Sequence, residues 1–134
     1  MSTHATGTFD QKRLAHPPYE KIDGATLSRV TITKLFKGDL QGNSVVQMLC
    51  AVTEVAGSAG YAGIERVTGT LRGRSGSFIL QHSGTVTRGV PAWTISVVPD
   101  SGTEALKGIA GRMTVDVADG QHSYAFDYSL SDGA

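Results

Sequence analysis

The stretch "ERVTGTLRGRSGSFILQHSGTV" occupies residues 65–86 and holds two alternating runs on either side of a glycine-rich turn. In the second run Phe78, Leu80 and Val86 alternate with Ser77, Gln81, Ser83 and Thr85, the period of a strand with one buried face. His82 falls on the apolar side of that alternation. The motif "GRSG" at 73–76 predicts a two-residue hairpin loop at Arg74 and Ser75, with Gly73 paired to Gly76. In that register Leu71 faces Phe78, Gly69 faces Leu80, Val67 faces His82 and Glu65 faces Gly84. Arg66, Thr68, Thr70, Ser77, Gln81 and Ser83 then share a polar, solvated face. Glu65 and His82 become diagonal neighbours on the apolar face, within reach of one another. A loop one residue longer would turn strand 59–72 over, burying Arg66 and exposing Val67 and Leu71, which argues against it.

The same alternation extends outward from this hairpin. Strands are predicted at about 3–14, 25–37, 43–54, 59–72, 76–86, 91–98, 111–118 and 122–131. Glycine, with 17 residues, punctuates these Thr-, Val-, Ser- and Ile-rich runs, and no long stretch has a 3.6-residue apolar period. Such a pattern indicates an all-β barrel or sandwich. The prolines of "AHPPYEKIDGA" (15–25) mark a long loop, because they cannot donate to a ladder. "DSGTEALKGIAG" (100–111) has room for one short helical turn. On 43–54, Val46, Met48, Cys50 and Val52 form the apolar face. Placing Met48 beside Glu65 sets Gln47 beside Arg66 outside. On 25–37, Lys34 shares a face with Val30, Ile32 and Phe36, near Val46, and Leu35 is the apolar misfit on the other face. Trp93, Ile95 and Val97 are the inward set of 91–98, and Tyr124, Phe126, Tyr128 and Leu130 that of the last strand.

At 134 residues the chain has the length of one domain with one core, read as spanning 1–134. A formal net charge of zero and the absence of a basic stripe argue against nucleic acid as a partner. The single cysteine, Cys50, cannot form an internal disulfide and reads as a buried thiol. "MSTHATGTF" has no basic segment followed by an apolar one, so no signal peptide is expected. No apolar run approaches membrane-spanning length, so the expected setting is the cytoplasm with no membrane partner. His4, His16, His82 and His122 lie on separate segments without metal-ligand spacing, and no metal or other cofactor is expected. "GRSG" precedes no helix and is not a phosphate loop. "HSGT" (82–85) lacks the context of a nucleophile elbow.

The run 65–86, together with "VTITKLFKGDLQG" (30–42) and "VVPDSGTEALKGIAG" (97–111), resembles a bacterial family of unknown function whose members are similar in fold to allene oxide cyclase. The resemblance covers nearly the whole chain, and Gly69–Gly84 and "SGTEALKGIAG" are its most specific parts. It implies a small eight-stranded antiparallel up-and-down barrel. Similar barrels enclose a pocket in which a flexible unsaturated substrate is folded and closed, and they often associate as dimers or trimers. In such a barrel the loops near 15–24, 54–59, 87–91 and 118–122 share one end, close to His16, Tyr19, Tyr61 and His122. The Arg74–Ser75 turn and segment 99–110, acting as a plug, would occupy the other.

Three readings of function follow. In the first, the chain is an isomerase or cyclase without redox cofactor. His82 works as acid–base, Glu65 orients it and Lys34 steadies negative charge. Met48, Cys50, Tyr61, Phe78, Trp93, Tyr124, Phe126 and Tyr128 would hold a hydrophobic small molecule in the interior. In the second, the chain carries such a molecule unchanged. In the third, it is a structural or interaction protein whose Lys34–Glu65 pair and neutral core histidine set strand register.

Overall fold

The computed structural model describes residues 2–130; position 131, the last of the predicted final strand, lies outside them. Among the described residues the strands are β1 (Thr3–Ala15), β2 (Glu20–Ile22), β3 (Ala25–Gly38), β4 (Leu40–Thr53), β5 (Ala59–Leu71), β6 (Arg74–Thr87), β7 (Val90–Val97), β8 (Ala110–Ala118) and β9 (Gln121–Ser129). A single 3-10 turn, Glu104–Leu106, lies between β7 and β8. The strands pair antiparallel in the order β1-β9-β8-β7-β6-β5-β4-β3-β2, and β1 also pairs with β3. That last pairing closes eight strands into a barrel and leaves β2 as an addition to it. No helix among the described residues is long and apolar enough to cross a membrane.

Closure can be followed residue by residue. Ala15 pairs with Val30, Val30 with Met48, Met48 with Gly63, Gly63 with His82, and His82 with Ile95. Ile95 pairs with Met113, Met113 with Phe126, and Phe126 with Ala5. The circuit therefore returns to β1 about ten residues from where it left, the stagger that tilts the strands and lets an eight-stranded sheet close.

Expectations change in two respects, the pairing of strands and the loop before β3. The hairpin turns at Arg72 and Gly73, with φ of 47° and 84°, so that Leu71 pairs with Arg74 and Gly69 with Gly76. A two-residue loop of this kind needs positive φ at both central positions, and it settles where glycine occupies the second. A turn at Arg74 and Ser75 would place two side-chain-bearing residues there. The pairing thus differs from the expected one by an even number of residues. Val67 faces Phe78, Glu65 faces Leu80 and Gly63 faces His82, and every side chain keeps its expected face. On β4 the partners differ too: Val46 faces Glu65, Gln47 faces Ile64, and Lys34 lies opposite Ser44. The second change is β2, which lies within the predicted loop. It continues along β3 where β1 ends, with Glu20 paired to Leu27. Backbone hydrogen bonds from His16 to Arg29 and from Tyr19 to Leu27 carry the chain past Pro17 and Pro18.

The two ends of the barrel are built differently. At one end Phe9, Phe36, Phe78, Phe126, Leu40, Leu71 and Leu80 pack almost without exposure. Phe78 and Phe126 stack with ring centroids 5.6 Å apart, and Phe126 and Tyr128 stack at 5.3 Å. Segment 98–109 folds across this end and buries Leu106 and Ile109 in the same core. Thr103 is bonded to Ser77 through its backbone N–H, and Ser101 Oγ accepts the N–H of Ile79. Gly76 permits the approach, since a Cβ there would lie 2.3 Å from the Thr103 carbonyl oxygen. At the opposite end Gly89 N–H donates to Gly57 and Glu54 N–H to Gly24, which gathers the loops after β2, β4 and β6.

Candidate functional site

A cavity of about 610 Å³ fills the half of the barrel that the aromatic core does not. Its apolar walls include Val30, Ile32, Val46, Met48, Ile95, Met113 and Val115. These residues have the inward register of β3, β4, β7 and β8, so the period-2 pattern that makes the strands also makes the walls.

The floor is charged. Lys34 of β3, Ser44 of β4, Glu65 of β5 and His82 of β6 occupy inward positions on four successive strands. Glu65 is fully buried at their centre. Its Oε1 lies 2.6 Å from His82 Nε2 and accepts from Lys34 Nζ at 3.3 Å, while Oε2 accepts from Ser44 Oγ at 2.6 Å. Lys34 Nζ also stands 4.8 Å from the Phe9 ring centroid and 5.8 Å from that of Phe36, where the ring faces favour a cation. Burial by itself pushes the Glu65 carboxyl upward. The His82 hydrogen bond, the Lys34 charge, the Ser44 hydrogen bond and the His82 charge together outweigh it and hold the group below the usual carboxylate value. Glu65 is therefore a carboxylate, which a buried acid without partners would not be.

His82 and Lys34 border the cavity, while Glu65 lies behind them. With Nε2 engaged by Glu65, the free nitrogen of His82 is Nδ1. No buried side-chain nitrogen or oxygen among the described residues lacks a partner, so the unpartnered Nδ1 has accessible space beside it. A ligand at this floor would meet one ring nitrogen able to accept a proton and one ammonium able to donate.

The other expected site residues divide between the two ends. Met48, Cys50, Tyr61 and Trp93 line the cavity. Phe78, Phe126 and Tyr128 stand apart from it, in the packed core. Tyr124 is buried there as well, and its hydroxyl pins the β3–β4 connection. It accepts the Leu40 N–H at 2.8 Å and lies 3.0 Å from the Lys37 carbonyl oxygen. Burial pushes the Tyr124 hydroxyl pKa up, the Leu40 hydrogen bond opposes this, and the charge of Asp39 adds to it. Burial likewise raises the Cys50 thiol, with Arg13 opposing, so this cysteine is poorly nucleophilic. Of the remaining histidines, His16 Nε2 lies 2.8 Å from Thr31 Oγ1, and His122 packs its ring 5.1 Å from Phe9.

Sequence reasoning missed Ser44, Phe9, Gln11 and Arg13. Ser44 carried a readable signal, because it is in register with Val46, Met48 and Cys50. The β1 residues carried a weaker one: only Phe9 is strongly apolar among the inward positions near the cavity.

Residues 5–128 match the family described as "Protein of unknown function (DUF3224)". The chain belongs to the DUF3224 family. It is similar to a crystallographically solved DUF3224 protein of unknown function from Shewanella oneidensis MR-1. The two share 41% identity, superpose with a TM-score of 0.92, and match over 98% of this chain and 99% of the other. No curated protein matches. The solved neighbour shares this closed antiparallel barrel, and neither its description nor that of the family names an activity.

Proposed function

We propose that this DUF3224 protein binds an apolar small molecule carrying a carbonyl group and moves a proton on it, as an isomerase or cyclase that needs no redox cofactor. One observation carries the reading: a histidine that borders an apolar cavity and is backed through Nε2 by a buried carboxylate, with an ammonium beside it. In the neutral tautomer that the geometry favours, His82 Nε2–H donates to Glu65 and the Nδ1 lone pair is the base. Nδ1 removes a proton from the carbon next to the carbonyl, and the electron pair moves onto oxygen as an enolate. Lys34 donates a hydrogen bond to that oxygen as its charge grows. Glu65 steadies the imidazolium, which returns its proton to a different carbon. No proton or electron is gained or lost overall. The 610 Å³ volume falls within the range of about 300–1,000 Å³ typical of small-molecule sites.

The structural reading also has an observation in its favour. Glu65 on β5 is hydrogen-bonded to side chains of β3, β4 and β6, an arrangement suited to holding these four strands in register. The two readings part on experiment. Native mass spectrometry of the protein from its own host reads a retained apolar molecule. Proton–deuterium exchange next to the carbonyl of that molecule, or of a cyclic enone used as a probe, reads the chemistry. A carrier holds the ligand without exchange. An acid–base enzyme exchanges it and stops when His82→Gln removes the base. Absence of ligand together with absence of exchange would leave the register role alone.

A further inference from the structure

The wall of the barrel has one weak seam. β5 and β6 are laddered from Ala59–Val86 to Leu71–Arg74. β7 and β8, by contrast, pair only at Ile95–Met113 and Ser96–Arg112 among the described residues. From that rung toward the open end, Val90–Thr94 and Thr114–Ala118 run without pairing to one another. Both stretches are nonetheless ordered strand. β7 is laddered to β6 as far as Thr87–Val90, and β8 to β9 as far as Ala118–Gln121. The two edges have parted while each keeps its other neighbour.

The cavity lining shows that the parting goes through the wall. Ser83, Thr94, Thr114 and Asp116 alternate with the inward His82, Trp93, Ile95, Met113 and Val115, and so have the outward register. All four border the cavity, and Thr94, Thr114 and Asp116 do so along the two parted edges. Trp93 stands at this cleft with inward register and is 60% exposed. Opposite it is Gly84, where a Cβ would lie 2.4 Å from that of Trp93. A side chain at 84 would therefore displace the tryptophan.

We propose that the cleft between β7 and β8 is the portal of the ligand site and that Trp93 is its gate, selecting apolar molecules that can slide past an indole. The proposal rests on the reading of the cavity as a ligand site. The physical reason is the ladder. Widening any other seam breaks backbone hydrogen bonds, whereas widening this one breaks none before the Ile95–Met113 rung is reached. The edges already face solvent, and the aromatic ring offers an apolar molecule a surface on which to shed water.

The test closes the seam. Continuing the β7–β8 register sets Thr94 opposite Thr114, so Thr94→Cys with Thr114→Cys staples the cleft when oxidised. Thr33→Cys with Val45→Cys, across a seam that is already paired, controls for the added disulfide. Stopped-flow fluorescence with 1-anilinonaphthalene-8-sulfonate reads association and release. Oxidation of the cleft pair should slow both by about tenfold or more and leave Kd within about twofold, because a gate acts on the path and not on its ends. Reduction should restore both rates, and the control pair should change neither. Trp93→Ala reads the same step without a new bond and should speed both rates severalfold. If the cleft pair does not cross-link, this variant decides alone. Unchanged rates in the stapled protein or in Trp93→Ala would overturn the portal. A wild-type protein that does not bind the probe at all would instead sink the cavity reading beneath it.

Discussion

The two halves of the barrel are made from the same strands and differ in almost everything else. At the plugged half, four phenylalanines and the leucines around them are sealed by segment 98–109. At the open half, the same strands supply Met48, Cys50, Tyr61 and Trp93 to an unfilled space, and β7 and β8 separate. The charged cluster lies between them. Dense packing and open volume are thus separated along one axis: a well-packed half tolerates an unpacked one, and the unpacked half holds the space that the proposed ligand needs.

The sharpest way to break this division is to cut into the packed half. Phe126→Ala removes a fully buried ring stacked on both Phe78 and Tyr128, and should cost about 3–5 kcal/mol in denaturant unfolding. A much smaller loss would mean that the plugged half is not the source of stability. Next comes the boundary. Glu65→Gln keeps the shape but removes the charge that Lys34 and His82 face, and should cost about 3 kcal/mol, toward the low end for breaking a buried pair.

The pH dependence follows with a definite sign. The folded Glu65 carboxyl lies below its ordinary value, so the unfolded chain binds its proton more readily. Its contribution is complete above the unfolded value of about 4.3 and is lost as pH falls through the lower folded value. The wild type should thus lose stability on acidification below about pH 4 more steeply than Glu65→Gln does, measured as urea midpoints between pH 2 and 6. Matching acid limbs would show that Glu65 is not held as a carboxylate.

The smallest effect tests the open half. Trp93→Ala, at a residue that is mostly exposed, should change stability by no more than about 0.5 kcal/mol although it removes the largest side chain of the chain. A loss comparable to that of Phe126→Ala would erase the distinction between the halves. One spectroscopic outcome sharpens the boundary further. Nitrogen-15 NMR of neutral His82 should show the proton on Nε2, since that atom meets the Glu65 carboxylate. A proton on Nδ1 would remove the base from the proposed chemistry.

Alternation along each strand was legible from the start, and with it the fold class and the inward placement of Lys34, Glu65 and His82. It survived even a misplaced turn, because the error at Arg72–Gly73 was an even number of residues and a period of two is blind to even shifts. Ser44 was legible by the same rule. The separation of Phe78, Phe126 and Tyr128 from Met48, Cys50, Tyr61 and Trp93 was not, although all of them share the inward face. A local pattern states which side of the sheet a residue occupies. It does not state how far along the barrel axis the residue sits. That level depends on a stagger of about ten residues accumulated around the closed sheet, on where segment 98–109 lies down, and on where β7 and β8 stop pairing. Each of these is a contact between residues distant in the chain. The sequence alone therefore determined that a charged cluster would face a barrel interior, and only the tertiary structure decided that this cluster is the floor of a cavity and not part of a filled core.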